Sequence, residues 1–324
     1  MTNALTIASR RRRRHDATGA ARQRSRSVRP PWEEPPTVVG QAAKGLTLGA
    51  TLAVILVPLW IIVLTSFSTP GAVNRAGGLV IWPDGLSAET YRQMLNDPTV
   101  VTALMVSLGI TVVGTAVSMA VSILCAYGLS RPRSLGHRFV LMLLIITMFV
   151  GGGLIPSFLV VTGLGGYGQW WALILPNAVS VFNILVLRAF YQETSSELID
   201  AARMDGAGDW RILWSVVLPT SRAVTAVTSL FYAVGYWNSF FNVMLYMPTD
   251  SQKWPLQYVL LTYVNRGNGL PGSVNSGFGS AHAQTAPLSL QMAVVVLTLV
   301  PLVIVYPFVQ KHLRTGVLTG AIKG

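Results

Sequence analysis

The 324-residue sequence is 52% hydrophobic and only 11% charged, whereas soluble domains carry about 25% charged residues, which excludes a globular protein whose whole surface faces water. Its 24 Lys and Arg against 12 Asp and Glu leave a formal net charge of +12, a surplus that in a soluble chain points to nucleic acid. The distribution of those charges along the chain argues against that partner.

Residues 1–45 hold ten of the 24 basic residues, including the run Arg10 to Arg14, and three of the acids, Asp16, Glu33 and Glu34. With Pro30, Pro31, Pro35 and Pro36 and little apolar material, this stretch reads as a basic, disordered tail. Basic residues flanking a first membrane span report topology.

A helix needs about 20 apolar residues to cross a bilayer, and six stretches qualify: about 46–66, 100–130, 139–162, 169–190, 221–247 and 288–310. The first follows a polar leader too long for a cleaved signal peptide, so it reads as a retained anchor. The third carries Gly151, Gly152, Gly153 and Pro156, which serve either close helix packing with a kink or a hinge. The fourth contains Pro176, Asn183 and, near its end, Arg188.

Between the fourth and fifth stretches lies a long polar connection, residues 194–219, that reads as a short helix, a glycine turn and a second helix. Thr194 with Glu197 has capping-box spacing, Glu197 and Asp200 fall in the first turns, where the helix dipole favours acids, and Leu198, Ile199 and Ala202 form an apolar face. Ala201, Ala202, Gly206 and Ala207 permit close approach of another backbone, and Gly206 suits a turn with positive φ. Taken alone, the segment is either a surface helix joining two spans or a docking element.

The fifth stretch holds Tyr236, Trp237, Asn238 and Asn242. Amides facing lipid are costly, so Asn238 and Asn242, four residues apart, look inward, either as interhelical glue or as contacts to an uncharged, polyhydroxylated ligand; Asn183 is a further candidate. Residues 248–287 form a long Gly-, Ser-, Asn- and Pro-rich connection, either a functional loop that meets a partner or a simple linker.

With the tail inside, 20 of the 24 Lys and Arg fall on one side, and the opposite side keeps Arg75, Arg92, Lys253 and Arg266, offset by Asp84, Glu89, Asp97 and Asp250. That bias places both termini in the cytoplasm. The spans lack the buried ionisable groups of proton relays and voltage sensors, and no paired carboxylates, H-E-x-x-H motif or phosphate-binding G-x-x-x-x-G-K-[ST] loop occurs. Cys125 is alone, and His15, His137, His282 and His312 lack ligand spacing, so no metal site is expected. The chain reads as a membrane protein and not an enzyme; if it moves a solute with ATP, another chain binds the nucleotide. A secondary transporter with an ion site built from backbone carbonyls remains the rival reading.

D-A-A-x-x-D-G-A at Asp200 to Ala207, followed after ten residues by Leu218-Pro219, resembles the EAA loop of the membrane subunits of binding-protein-dependent ABC importers, with Asp200 in place of the family's leading Glu. Gly151 to Pro156, Trp171 to Pro176, Tyr236-Trp237-Asn238, Tyr306-Pro307-Phe308 and Gly320 to Gly324 extend the likeness to the carbohydrate-uptake branch, especially oligosaccharide and polysaccharide permeases, over roughly residues 46–324. The resemblance implies an all-α, six-span permease of the type I importer fold in the bacterial cytoplasmic membrane. It implies that Glu197, Asp200, Ala201, Ala202, Asp205, Gly206 and Ala207 couple to an ATPase. The implied partners are a second homologous permease, two ATP-binding cassette subunits and an extracytoplasmic solute-binding protein, and the cargo is a carbohydrate or, alternatively, another neutral solute.

Overall fold

The computed structural model describes residues 37–83, 85–131, 136–193, 196–266 and 287–320. Among the described residues the chain is helical, with no strand beyond one antiparallel bridge between Ser68 and Leu86. In chain order the helices are α1 (Val38–Ser66), α2 (Pro70–Arg75), α3 (Glu89–Asn96), α4 (Pro98–Ser130), α5 (His137–Phe149), α6 (Leu154–Gly163), α7 (Trp171–Ile174), α8 (Val181–Gln192), α9 (Ser196–Met204), α10 (Asp209–Ile212), α11 (Leu218–Thr220), α12 (Arg222–Trp237), α13 (Phe241–Tyr246), α14 (Leu256–Arg266) and α15 (Pro287–Gly320). The basic tail, apart from residues 37–45, lies outside the described residues, as do most of the glycine- and serine-rich part of 248–287 and the chain end from Ala321.

The chain divides into two units, Met1–Val57 and Pro58–Gly324. The described part of the first is the leading portion of α1, in which Leu46, Leu48, Leu52, Val54 and Ile55 are all exposed. A helix that is apolar all round suits a lipid environment.

The second unit is organised on α4. The Asp97 carboxylate accepts from the Thr99 N–H at 2.8 Å, and Pro98 sits in the first turn, where its missing N–H leaves no bond unmade. The helix stops at Arg131, which turns extended, as the residue before a proline must. α4 packs against α12, α8 and α14. One core gathers Val100, Ala103 and Ile110 of α4 with Tyr236 and Trp237 of α12, Leu256 and Val259 of α14 and Ala293 of α15. A second joins Ala126 and Leu129 at the end of α4 to Ile184 and Leu187 of α8 and to Ile212, Leu213 and Val217.

Three helical segments, Val38–Ser66, Pro98–Ser130 and Leu288–Pro307, are long and apolar enough to cross a membrane, and two bent pairs raise the number to five if each pair is one span. The third predicted span is one such pair: α5 ends before Gly151, α6 starts at Leu154, and the two meet at 117°. The fourth is the other, broken after Asn177 and bent by 51°. The fifth also breaks, because α12 has 16 residues and stops at Trp237, and α13 resumes at Phe241 after Asn238, Ser239 and Phe240.

A break inside a membrane frees backbone groups that water cannot reach, and each costs several kcal/mol, roughly, if left unpaired. Two tyrosines one turn apart on α12 take up those of the fourth span. The Tyr236 hydroxyl donates to the Ile174 carbonyl at 3.0 Å and pairs with Ser118 Oγ at 2.8 Å. The Tyr232 hydroxyl accepts from the Ser180 N–H at 3.1 Å and pairs with Ser122 Oγ at 2.6 Å. Both serines belong to α4, so three helices meet in one seam.

The connection 248–287 is not all loop. Trp254 and α14 are inserted in the first core, with Leu256 and Val259 fully buried and the Leu256 N–H bonded to Ser107 Oγ at 2.7 Å. Composition over the whole stretch hid this helix, because the glycines and serines lie after it.

Close approach of α12 to α4 depends on Gly114, where a Cβ would lie 2.8 Å from the Tyr236 ring. Gly114→Ala should therefore displace the ring and destabilise the protein by about 1–3 kcal/mol, seen as a lower melting temperature in detergent. In a Tyr236→Ala background the same substitution should have little further effect; an equal loss in both backgrounds would refute this packing.

Candidate functional site

The segment that resembles a coupling loop is built as a rigid turn. α9 starts at Ser196 with Glu197 in its first turn; the expected Thr194 cap lies outside the described residues. The helix ends in paired bonds from the Gly206 N–H to the Arg203 carbonyl and from the Ala207 N–H to the Ala202 carbonyl, each 2.9 Å, a Schellman closure. Gly206 has φ +78° with open space where a Cβ would stand, the left-handed conformation that glycine adopts without penalty.

The turn has two faces. Ile199, Ala202 and Ala207 pack on the second core, while Glu197, Asp200, Ala201, Asp205 and Gly206 are exposed. Leu198, half exposed, joins the outer face rather than the bundle, as do Met204 and Trp210. Asp200 pairs with Arg203 at 3.7 Å, and the Glu197 and Asp205 carboxylates have no ion pair among the described residues.

After the turn the chain is pinned to the end of α4. Arg131 forms an ion pair with the Asp209 carboxylate, lies 4.5 Å over the Tyr127 ring and donates to its hydroxyl, which in turn donates to the Asp209 carbonyl at 3.0 Å. Arg188 of α8 donates to the Leu129 carbonyl at 2.9 Å, satisfying one of the free carbonyls in the last turn of α4. Residues Leu213–Val217 then form a π-turn immediately before Pro219. Proline cannot donate an N–H and its ring crowds the carbonyl four residues back, so the wider turn absorbs the misfit.

The second feature is a cavity of about 320 Å³ at the two helix breaks. Asn183, Tyr236, Asn238 and Asn242 line it together with Asn177, Ser180, Ser239 and the rings of Phe231, Tyr232, Phe240 and Phe241. The structure thus brings together four of the five residues that the sequence offers for a substrate path. The fifth, Trp237, turns away: it is buried, and its indole N–H donates to the Thr298 carbonyl of α15 at 3.0 Å.

The four retained residues are not equivalent. The hydroxyl of Tyr236 is committed to the seam, and Asn238 donates to the Val234 carbonyl at 2.9 Å while accepting from Gln257 at 3.3 Å. The amides of Asn183 and Asn242 have no hydrogen-bond partner among the described residues. Sequence reasoning missed Asn177 and Ser180, which the break after Pro176 could have flagged. It also assigned Arg131 to topology alone, because nothing local joins Arg131 to Asp209.

The family model described as binding-protein-dependent transport system inner membrane component matches residues 118–319. The polygalacturonan/rhamnogalacturonan transport system permease protein YtcP of Bacillus subtilis (strain 168) is 40% identical over 270 residues, 83% of this chain and 93% of that protein. Protein LplC of the same organism is 37% identical over 279 residues, 86% and 93% of the two chains. Among solved structures, a chain of a bacterial ABC transporter involved in the import of the acidic polysaccharide alginate matches with a TM-score of 0.79 and 29% identity, covering 87% of this chain and 99% of that one. The chain therefore belongs to the family of inner membrane components of binding-protein-dependent transport systems.

Proposed function

We propose that this chain forms one half of the pathway by which a bacterium imports an oligosaccharide, with energy from ATP hydrolysed on other subunits. In this reading it crosses the cytoplasmic membrane six times with both termini inside, the broken segments counting as spans three to five. It pairs with a second homologous permease and works with two ATP-binding cassette subunits and an extracytoplasmic solute-binding protein. The names of the similar proteins support the carbohydrate, and the neutral lining of the cavity suits it, since aromatic faces and amides match the apolar faces and hydroxyls of a sugar.

The observation that carries the coupling role is the two-faced turn. Its inner side is held by Ile199, Ala202, Ala207 and the Arg131–Asp209 pair, so that force applied to its outer side reaches α4 and α8. The outer side offers free carboxylates at Glu197 and Asp205 and a crest without a side chain at Gly206, which fits insertion into a groove on an ATPase. The 10 basic residues of the tail sit on the same cytoplasmic side in this topology.

Purification in mild detergent through a tag on this chain should bring down a second multi-span protein and an ATPase; an isolated, active homo-oligomer would overturn the reading. Gly206→Trp should leave the membrane level normal and ATP hydrolysis running while uptake falls to background, because the ring occupies the docking crest. Gly206→Ala, which carries only the backbone strain of about 1–2 kcal/mol, should keep most of the uptake. Full transport by the Trp variant would remove the docking role of this turn.

A further inference from the structure

We propose that residues 79–82, on the connection between α2 and α3, rest in the interface of the lipid bilayer, with Ile81 and Trp82 seated among the headgroups and first acyl carbons of the extracytoplasmic leaflet. Only the choice of leaflet rests on the topology proposed above; the contact with lipid does not.

Between Arg75 and Asp84 the sequence runs Ala-Gly-Gly-Leu-Val-Ile-Trp-Pro, without a charge. The fold leaves most of its large apolar side chains uncovered: Ile81 is 64% exposed and Trp82 81%, and Leu79 and Leu86 on either side are exposed as well. Scattered exposed apolar residues need no explanation, but a cluster of large ones marks a contact surface.

The backbone holds these side chains out. The Gly78 N–H closes α2 on the Val73 carbonyl at 2.9 Å, and the Val80 N–H donates to Thr65 Oγ1 at 3.0 Å. After the segment, the Thr69 N–H donates to the Gly85 carbonyl at 3.0 Å and the Ser87 N–H to the Phe67 carbonyl at 2.6 Å. Val80 turns inward and is buried with Val73 and Leu288, while its neighbours Leu79 and Ile81 are exposed.

Two helices long and apolar enough to cross a membrane fix the depth of the segment. Thr65 lies in the last turn of α1, and Leu288 opens the apolar stretch Leu288–Pro307 of α15. The 20 residues of that stretch rise about 30 Å, the thickness of the hydrocarbon core, so Leu288 stands at its edge. Val80 meets both ends, by its hydrogen bond to Thr65 and by apolar contact with Leu288. The residues beside it therefore emerge where lipid gives way to water.

Their chemistry suits that boundary. Tryptophan collects there because its ring is apolar while its N–H seeks a polar partner, which headgroups supply. The charged pair of the same connection, Glu89 and Arg92, sits on α3 instead, with the Arg92 side chain 75% exposed. A soluble partner would have to descend to the level of the span ends to cover Ile81 and Trp82, where lipid already stands.

Cys125 is the single cysteine, so a Cys125→Ser background allows Ile81→Cys and, separately, Arg92→Cys to carry an environment-sensitive fluorophore with Trp82 left in place. The labelled protein is placed in nanodiscs of phosphatidylethanolamine and phosphatidylglycerol, both faces of which are open to solvent. A lipid bearing a nitroxide near the headgroup end of its acyl chain should quench the label at position 81 several-fold more than the label at position 92, and iodide should do the reverse. Strong iodide quenching at position 81 would leave the segment in water, as a docking surface for a solute-binding protein requires, and would overturn the lipid contact. Shielding from both quenchers would reveal a protein neighbour, such as a second permease, and overturn it equally. Neither failure touches the transport reading, which the tagged purification tests.

Discussion

The second unit depends on two tyrosine hydroxyls that stand in for missing backbone bonds. Pro176 ends one helical segment inside an apolar stretch, and the Ile174 carbonyl and the Ser180 N–H lose their places in a helix. Tyr236 supplies the donor and Tyr232 the acceptor that water would supply elsewhere, and each is fixed by a serine of α4. The break is thus tolerated because a neighbouring helix pays for it. Its consequence is a polar-walled cavity at a place where a continuous helix would have shown only side chains.

The same economy governs the coupling turn. Every bond that closes α9 is made by the chain itself, through the two carbonyls at its end and the left-handed Gly206. Nothing on the outer face is needed to hold the turn, so that face is free to meet a partner without unfolding. The inner face is anchored by apolar contacts and by Arg131, a cation shared between a carboxylate and an aromatic ring. An ion pair at a partly exposed position is worth little by itself, but with the ring and two hydroxyl bonds it fixes the register of the loop on α4.

Apolar run length made the helical class readable from the sequence, and the D-A-A-x-x-D-G-A segment located the turn at Gly206. What could not be read was long-range. Asn183 and Asn242 belong to different spans, and only the breaks at Pro176 and Asn238 bring them to one cavity. Trp237 shares its sequence neighbourhood with Tyr236 and Asn238, yet a 100° step around α12 sends it to α15. The helix α14 was masked by averaging its apolar residues with the glycines that follow. Periodicity reports a face, and it does not say which neighbour that face meets.

α4 is the element common to both sites. Arg131 and Tyr127 engage the coupling turn at its end, and Ser122 and Ser118 engage the cavity seam roughly two to four turns earlier. At 1.5 Å per residue, the helix from Ser118 to its last residue, Ser130, spans about 18 Å. Such a rod transmits displacement because its internal bonds are stronger than its outer contacts. Under the proposed function, a pull on the turn acts on the same helix that holds the tyrosines in place. The tyrosines in turn hold the Ser180 N–H and the start of α8. A shift of α4 relative to α12 would therefore change the wall of the cavity at Ser180, with Gly114 as a point where α4 lies close against the Tyr236 ring. Neutral hydrogen bonds suit that role, since they can be exchanged between serine, tyrosine and backbone groups without exposing a charge to lipid.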